Sequence, residues 1–89
     1  MNKEDLKVLV TGCAGFLGGS MSYELLKNNF KVIGVDNFIN SDRKNISLIE
    51  NTYKDKFNFF EADISKNNEA LNSIFSEFKP NLIMHFAAL

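Results

Sequence analysis

The chain has 89 residues, enough for one domain at most, and its 45% hydrophobic and 24% charged residues are typical of soluble globular proteins. Its net charge of −1 gives no electrostatic basis for binding nucleic acid or an anionic membrane, and no apolar run approaches the roughly 20 residues that span a bilayer. The single cysteine excludes an internal disulfide and fits a reducing cytoplasm, where we expect the protein to lie.

Short apolar runs alternate with segments of helical spacing along the whole chain. The runs predict four strands, at residues 7–11, 31–35, 57–60 and 82–86. The segments between them predict three helices, at residues 16–28, 43–53 and 68–78. The third helix is the clearest, because its apolar residues recur on one helical face and Pro80 follows its end.

The order β-α-β-α-β-α-β predicts an α/β fold with a parallel sheet, because strands that are apolar throughout are buried on both faces. Right-handed crossovers then give the strand order 3-2-1-4, with the first two helices on one face and the third on the other. The fourth strand lies at an edge, although its apolar run suits the interior of a sheet. We therefore expect a doubly wound α/β sheet that is incomplete at this edge, with residues 1–89 forming part of a larger domain.

A glycine-rich segment, Thr11–Gly18, follows the first strand and opens the first helix. Glycines let the backbone approach a ligand closely, and the free amides and dipole of a helix start favour negative charge. An acid, Asp36, ends the second strand 18 residues beyond Gly18. A carboxylate there can accept hydrogen bonds from both hydroxyls of an adenosine ribose and would repel a 2′-phosphate, which favours NAD over NADP.

Four motifs resemble those of the extended short-chain dehydrogenases and reductases, in the same order. Thr11–Gly18 has their T-G-x-x-G-x-x-G form, and Val35–Ser41 resembles the D-N-x-x-N-S segment of UDP-glucose 4-epimerases and related nucleotide-sugar epimerases and dehydratases. Asp63 and Ile64 look like the family's adenine-contacting pair, and His85–Ala88 is similar to its H-x-A-A/G segment. The resemblance spans Val8 to Leu89 and points to the NAD-dependent epimerase/dehydratase family. It implies a partial NAD(P)-binding Rossmann fold, with residues 1–89 forming the amino-terminal part of a dinucleotide-binding domain.

The resemblance implies NAD as the cofactor and a role for each matching residue. The residues implied to form the pyrophosphate turn are Gly12, Gly15, Phe16, Leu17 and Gly18. Those implied to hold the adenosine ribose and the phosphate next to it are Asp36, Asn37, Asn40 and Ser41. Those implied to frame the adenine are Asp63 and Ile64. Those implied beside the pyrophosphate and the nicotinamide ribose are Phe86, Ala87 and Ala88.

The family's catalytic groups are not recognised in this chain. Hydride transfer in the family uses a Ser or Thr and a Y-x-x-x-K pair beyond the fifth strand, where the tyrosine acts as base. Tyr23 and Lys27 have that spacing. They lie on the first helix, directly after the glycine turn, so we interpret them as a surface helix pair. We expect the catalytic helix and the carboxyl-terminal substrate domain to be absent and the isolated chain to be inactive.

Three other features have structural interpretations. Cys13 lies near a helix start, which can lower a thiol pKa, but we interpret it as a small side chain that fills the turn. His85 is the only histidine, so it forms neither a multi-histidine metal site nor a triad with another histidine, and we expect a packed or hydrogen-bonded residue. The nine phenylalanines fall mainly at strand and helix-core positions, and we interpret them as core residues instead of platforms for base stacking.

The function implied by the resemblance is the NAD-binding portion of a nucleotide-sugar epimerase or dehydratase, in which bound NAD+ transiently oxidises C4 of the sugar. A reductase or decarboxylase acting on a nucleotide sugar is one alternative. A non-catalytic NAD-binding module and a truncated chain without function are others. The substrate of the intact enzyme would be a nucleotide sugar, and intact relatives are expected to be homodimers.

Overall fold

A computed structural model describes residues 5–37, 43–63 and 68–86. The strands are β1 (Lys7–Thr11), β2 (Lys31–Asp36), β3 (Phe57–Glu61) and β4 (Leu82–His85). The helices are α1 (Phe16–Lys27), α2 (Arg43–Thr52) and α3 (Asn68–Phe78). In these ranges no helix has the length and apolar character needed to cross a membrane.

The four strands form one parallel sheet in the order β3-β2-β1-β4, which confirms the predicted order. The two inner strands, β1 and β2, are buried along almost their whole length. Their apolar runs therefore face protein on both sides, as expected for the centre of a parallel sheet. In register, the ends of β1 and β2 pair Thr11 with Val35, so both carboxyl ends open at the same edge of the sheet.

Two apolar clusters cover the two faces of the sheet, as predicted. On one face, Val8, Val10 and Val32 pack with Leu26 of α1 and with Ile46 and Ile49 of α2. On the other face, the cluster consists of Leu9, Ile33, Val35 and, from α3, Ile74. Alternate residues of β1 thus belong to different clusters, because successive side chains of a strand point to opposite faces.

Helix α1 ends at Lys27, one residue before the predicted end, because the chain turns into a left-handed conformation there. Asn29 has φ 72° and its amide bonds to the Leu26 carbonyl at 3.0 Å. The Phe30 amide bonds to the Leu25 carbonyl, also at 3.0 Å. This pair of bonds is the Schellman arrangement, which satisfies the last carbonyls of a helix and stops its growth.

The edge strand β4 is poorly covered, and several phenylalanines are not in the core. Leu82 and Ile83 are 50% and 56% exposed, on opposite faces of the sheet. Phe57 is buried in the first cluster, but Phe16, Phe75 and Phe86 are exposed. The interpretation of the phenylalanines as core residues was therefore wrong for these three.

Gly34, in the middle of β2, leaves room for two side chains of the core. A Cβ at this position would lie 2.7 Å from the Cys13 sulfur and 3.0 Å from the Phe57 ring. Cys13 is itself fully buried, which confirms its interpretation as a filler of the turn. The Cys13 thiol therefore packs directly against Gly34, and a larger side chain at either position would displace the other residue.

We predict that Gly34→Ala lowers the free energy of unfolding by ~1–3 kcal/mol, because the added methyl overpacks the space beside Cys13 and Phe57. Adding Cys13→Ala removes the sulfur and should restore part of that loss. Urea denaturation of the wild type, the two single variants and the double variant measures the effect. Equal stability of Gly34→Ala and the wild type would contradict the close packing described for β2.

The Cys13 thiol is predicted to make stability depend on pH. Burial raises its pKa well above the ordinary value of 9.0, and the negative charge of Asp36 adds to the rise. The unfolded chain therefore loses this proton at lower pH than the folded chain does. Above pH 9.0, the free energy of unfolding should fall by up to ~1.4 kcal/mol per pH unit. Denaturation between pH 8 and 10 tests this, and Cys13→Ala should lack the component; parallel curves for the two proteins would refute it.

Candidate functional site

A tight turn joins β1 to α1 at the carboxyl edge of the sheet. Gly12 has φ 72°, a left-handed conformation that glycine adopts at little cost. Its amide donates to the Val35 carbonyl at 2.8 Å, which ties the turn to the end of β2. The chain therefore reverses direction directly above the neighbouring strand.

Gly18, in the first turn of α1, lies against the backbone of Gly12. A Cβ at Gly18 would be 2.0 Å from the Gly12 carbonyl oxygen and 2.7 Å from its carbon. Contacts under 3.0 Å to backbone atoms cannot be relieved by a side-chain movement. Only glycine fits, and its absence of a side chain lets α1 begin directly on the turn.

The amino end of α1 presents uncapped amides. Gly15 is the N-cap and provides no side-chain hydrogen bond, and the first turn contains no acidic residue. The first amide of α1 that donates to a preceding carbonyl is that of Gly19, which bonds to the Gly15 carbonyl at 2.8 Å. Within the described ranges, the amides of Phe16, Leu17 and Gly18 have no hydrogen-bond partner. Together with the helix dipole, such amides form a binding site for an anion.

The side chains of Phe16 and Leu17 do not contribute to the core. They are 84% and 65% exposed, respectively. The family resemblance implies that their backbone amides bind the pyrophosphate, and the structure places those amides at the uncapped helix end.

Asp36, at the end of β2, reaches back to the glycine turn. Its Oδ2 accepts a hydrogen bond from the Ala14 amide at 2.9 Å, and the residue is 8% exposed. The carboxylate is thus held at the same edge as the open amides. Sequence reasoning predicted this acid from its spacing but did not foresee its bond to the turn.

The end of β3 lies beside Asp36. The Ala62 amide donates to the Asp36 carbonyl at 3.0 Å, which brings the following residue, Asp63, to the same edge of the sheet. Asn37 follows β2 directly and is exposed. The other predicted adenosine-side residues, Asn40, Ser41 and Ile64, lie outside the described residues.

The end of β4 lies on the opposite side of the turn. Thr11 Oγ1 and His85 Nδ1 are hydrogen-bonded at 2.6 Å, which confirms a hydrogen-bonded role for His85. The Phe86 amide donates to the Thr11 carbonyl at 2.9 Å. Phe86 is therefore next to the residue that precedes Gly12, whereas Ala87 and Ala88 lie outside the described residues.

Tyr23, on α1, contacts the residue that directly follows α2. Its ring packs edge-on against Tyr53, with centroids 5.5 Å apart and planes at 80°. This contact supports its interpretation as part of a helix surface.

A cavity of about 230 Å³ lies between α1 and α2, beside the turn, and residues from both helices and Gly15 line it.

Two side-chain contacts near the site were not predicted. Asn45 of α2 donates from Nδ2 to the Ala14 carbonyl at 3.2 Å. Arg43, at the start of α2, forms an ion pair with Glu61 at the end of β3. Neither residue belongs to a motif, and each pairing joins distant parts of the chain, so the sequence offered no signal for them.

The chain is similar to known proteins in sequence and in fold. The family model of GDP-mannose 4,6 dehydratase matches residues 9–89. The UDP-glucose 4-epimerase of Mycolicibacterium smegmatis is 39% identical over 83 residues, which cover 93% of this chain and 25% of the relative. The bifunctional protein gal10 of Schizosaccharomyces pombe is 38% identical over 89 residues, which cover 100% of this chain and 12% of that protein.

Solved structures show the same fold. A UDP-glucose 4-epimerase from Stenotrophomonas maltophila with bound NAD and formylated UDP-arabinopyranose has a TM-score of 0.83 and 32% identity, over 94% of this chain and 25% of that one. The dTDP-glucose 4,6-dehydratase of Bacillus anthracis in complex with NAD has a TM-score of 0.84 and 28% identity, over 94% and 27%. The chain thus spans between 12% and 27% of the length of each of these relatives.

The glycine turn, the sheet order and the family match over residues 9–89 lead to one assignment. The chain belongs to the NAD-dependent epimerase/dehydratase family of extended short-chain dehydrogenases and reductases, and it corresponds to the amino-terminal, NAD-binding region of that family.

Proposed function

We propose that this chain binds NAD and serves as the coenzyme-binding portion of a nucleotide-sugar epimerase or dehydratase. The observation that carries the proposal is the row of open amides at the start of α1, next to a carboxylate held on the same turn. One element suits a diphosphate and the other suits a ribose, and they occur at one edge of the sheet.

The turn has room for the diphosphate of NAD. A Cβ on Gly15 would meet only the Gly12 carbonyl oxygen, at the ordinary contact distance of 3.5 Å. The protein itself therefore does not require a glycine at this position, in contrast to Gly18. A ligand that approaches the backbone closely explains why no side chain occupies the space.

Asp36 would select the coenzyme. Its carboxylate is held by the Ala14 amide and can accept hydrogen bonds from ribose hydroxyls. A 2′-phosphate would bring a second negative charge to this carboxylate, at a site with little exposure to solvent. The arrangement therefore favours NAD over NADP.

The reaction is inferred from the relatives. When bound, NAD supplies a reversible hydride acceptor for the sugar. In this proposal, the described residues of the chain bind and orient the coenzyme. Tyr23 is not assigned the role of the family's base, because its ring packs against Tyr53 on the surface of α1. We place the catalytic Ser or Thr, Tyr and Lys, and the nucleotide-sugar subsite, in parts of the intact enzyme other than residues 1–89.

The edge strand supports this division. Leu82 and Ile83 of β4 remain half exposed on the two faces of the sheet, as expected for a strand that pairs with a further strand and lies under further helices in the intact enzyme. A homodimer built from other helices of the intact enzyme is part of the same proposal.

The two glycines of the turn give a paired test of the phosphate site. Gly15→Ala should keep the fold but weaken NAD binding by about tenfold or more, because the methyl takes space used by the diphosphate and one lost contact of about 1.4 kcal/mol is tenfold in affinity. Gly18→Ala should cost about 3 kcal/mol of stability or more, because its methyl collides with backbone. Calorimetric titration and thermal unfolding separate the effects; unchanged NAD affinity in Gly15→Ala would refute the assignment.

Coenzyme selection is tested with Asp36→Asn. The amide oxygen can still accept from the Ala14 amide, but the charge is lost. NAD binding should weaken about tenfold, as for loss of a hydrogen bond to a charged group, and NADP binding should improve. Titration of both coenzymes measures the ratio, with the exposed Asp55→Asn as the control. Failure of the wild type to bind NAD, or an unchanged ratio in Asp36→Asn, would contradict the proposed selection.

A further inference from the structure

Asn45, on the first turn of α2, contacts the glycine turn from outside the dinucleotide motif. Its side-chain amide donates to the Ala14 carbonyl at 3.2 Å, and the bond is partly buried. Asn45 and Gly15 both line the cavity between α1 and α2, so the side chain bridges α2 and the start of α1. The bond joins residues 31 positions apart in the chain.

Hydrogen bonds hold both of the peptide groups that lead into α1, Cys13–Ala14 and Ala14–Gly15. In the first, the Ala14 amide donates to Asp36 Oδ2 at 2.9 Å. In the second, the Gly15 amide donates to the Gly12 carbonyl at 3.2 Å, and the Ala14 carbonyl of the same peptide group accepts from Asn45. Asn45 therefore holds the Ala14 carbonyl oxygen, to which no backbone amide of the described residues donates.

The orientation of that oxygen matters for an anion. A peptide group next to glycine rotates at low cost, because glycine accepts backbone conformations that other residues avoid. Rotation of the Ala14–Gly15 peptide would move a carbonyl dipole relative to the amides of Phe16 and Leu17. A carbonyl oxygen directed at a diphosphate would repel it, whereas one held on the α2 side leaves the amides as the groups that face the ligand.

We propose that Asn45 is a positioning residue of the diphosphate turn, which keeps the Ala14 carbonyl turned toward α2 so that the amides at the start of α1 face the coenzyme. This inference rests on the proposed NAD binding. It assigns to α2 a part in phosphate binding, although no residue of α2 belongs to the glycine motif. Asn45 is not proposed to touch the coenzyme.

The test compares three ligands with three variants of the 89-residue chain. The ligands are NAD, ADP-ribose and adenosine, of which only the first two contain a diphosphate. In Asn45→Ala the donor is lost, and NAD and ADP-ribose should bind about fivefold more weakly, as for one hydrogen bond, while adenosine binding is unchanged. In Asn45→Asp the volume is kept but a carboxylate faces the carbonyl, so the loss should be larger. Asn51→Ala, at an exposed position of the same helix, should bind all three ligands as the wild type does.

The outcomes separate this inference from the proposed function. If the wild type does not bind NAD, the proposed function fails. If the wild type binds NAD but Asn45→Ala matches Asn51→Ala, or loses adenosine affinity to the same extent, the inference fails. The unmodified chain gives an independent measurement: ADP-ribose should shift the NMR signals of the Asn45 side-chain amide and adenosine should not. Absence of that difference also overturns the inference, whatever the stability of the variants.

Discussion

The absence of any side chain between Gly18 and the Gly12 carbonyl is the constraint on which the site depends. Because a Cβ there would lie 2.0 Å from a backbone oxygen, α1 can begin on the turn only when this position is glycine. The helix start is then held over the carboxyl edge of β1 and β2, where its open amides and Asp36 are brought together. The phosphate and ribose elements of the site are therefore two results of one backbone contact.

Much of this arrangement could be predicted from the sequence because it is encoded locally. Runs of apolar residues identify β1 and β2 as inner strands, and apolar spacing on α2 and α3 identifies the faces that pack on the sheet. Handedness of the crossovers then leaves a single strand order. The glycine motif and the acid at the end of β2 likewise belong to one β-α-β unit, whose length sets the number of residues between them.

The remaining features could not be predicted because they depend on contacts between distant residues. Nothing near Asn45 in the chain indicates that it reaches Ala14, and nothing near Gly34 indicates that it makes space for the Cys13 sulfur. The exposure of the Phe16 ring could not be predicted for a different reason. Its hydrophobic side chain suggested the core, but its place at the helix start is set by the backbone, which leaves the ring in solvent.

The position of β1 has a consequence for how the molecule assembles. Of the four described strands β1 is synthesised first, yet it lies inside the sheet between β2 and β4. The Thr11–His85 bond between β1 and β4 spans 74 positions. By contrast, only the single helix α1 separates β1 from β2. The nascent chain therefore carries an open edge on β1 until nearly all of these residues have been synthesised. Among the described strands, β1 and β4 form the pairing between the most distant residues, and the loop between them must close before their contacts can form.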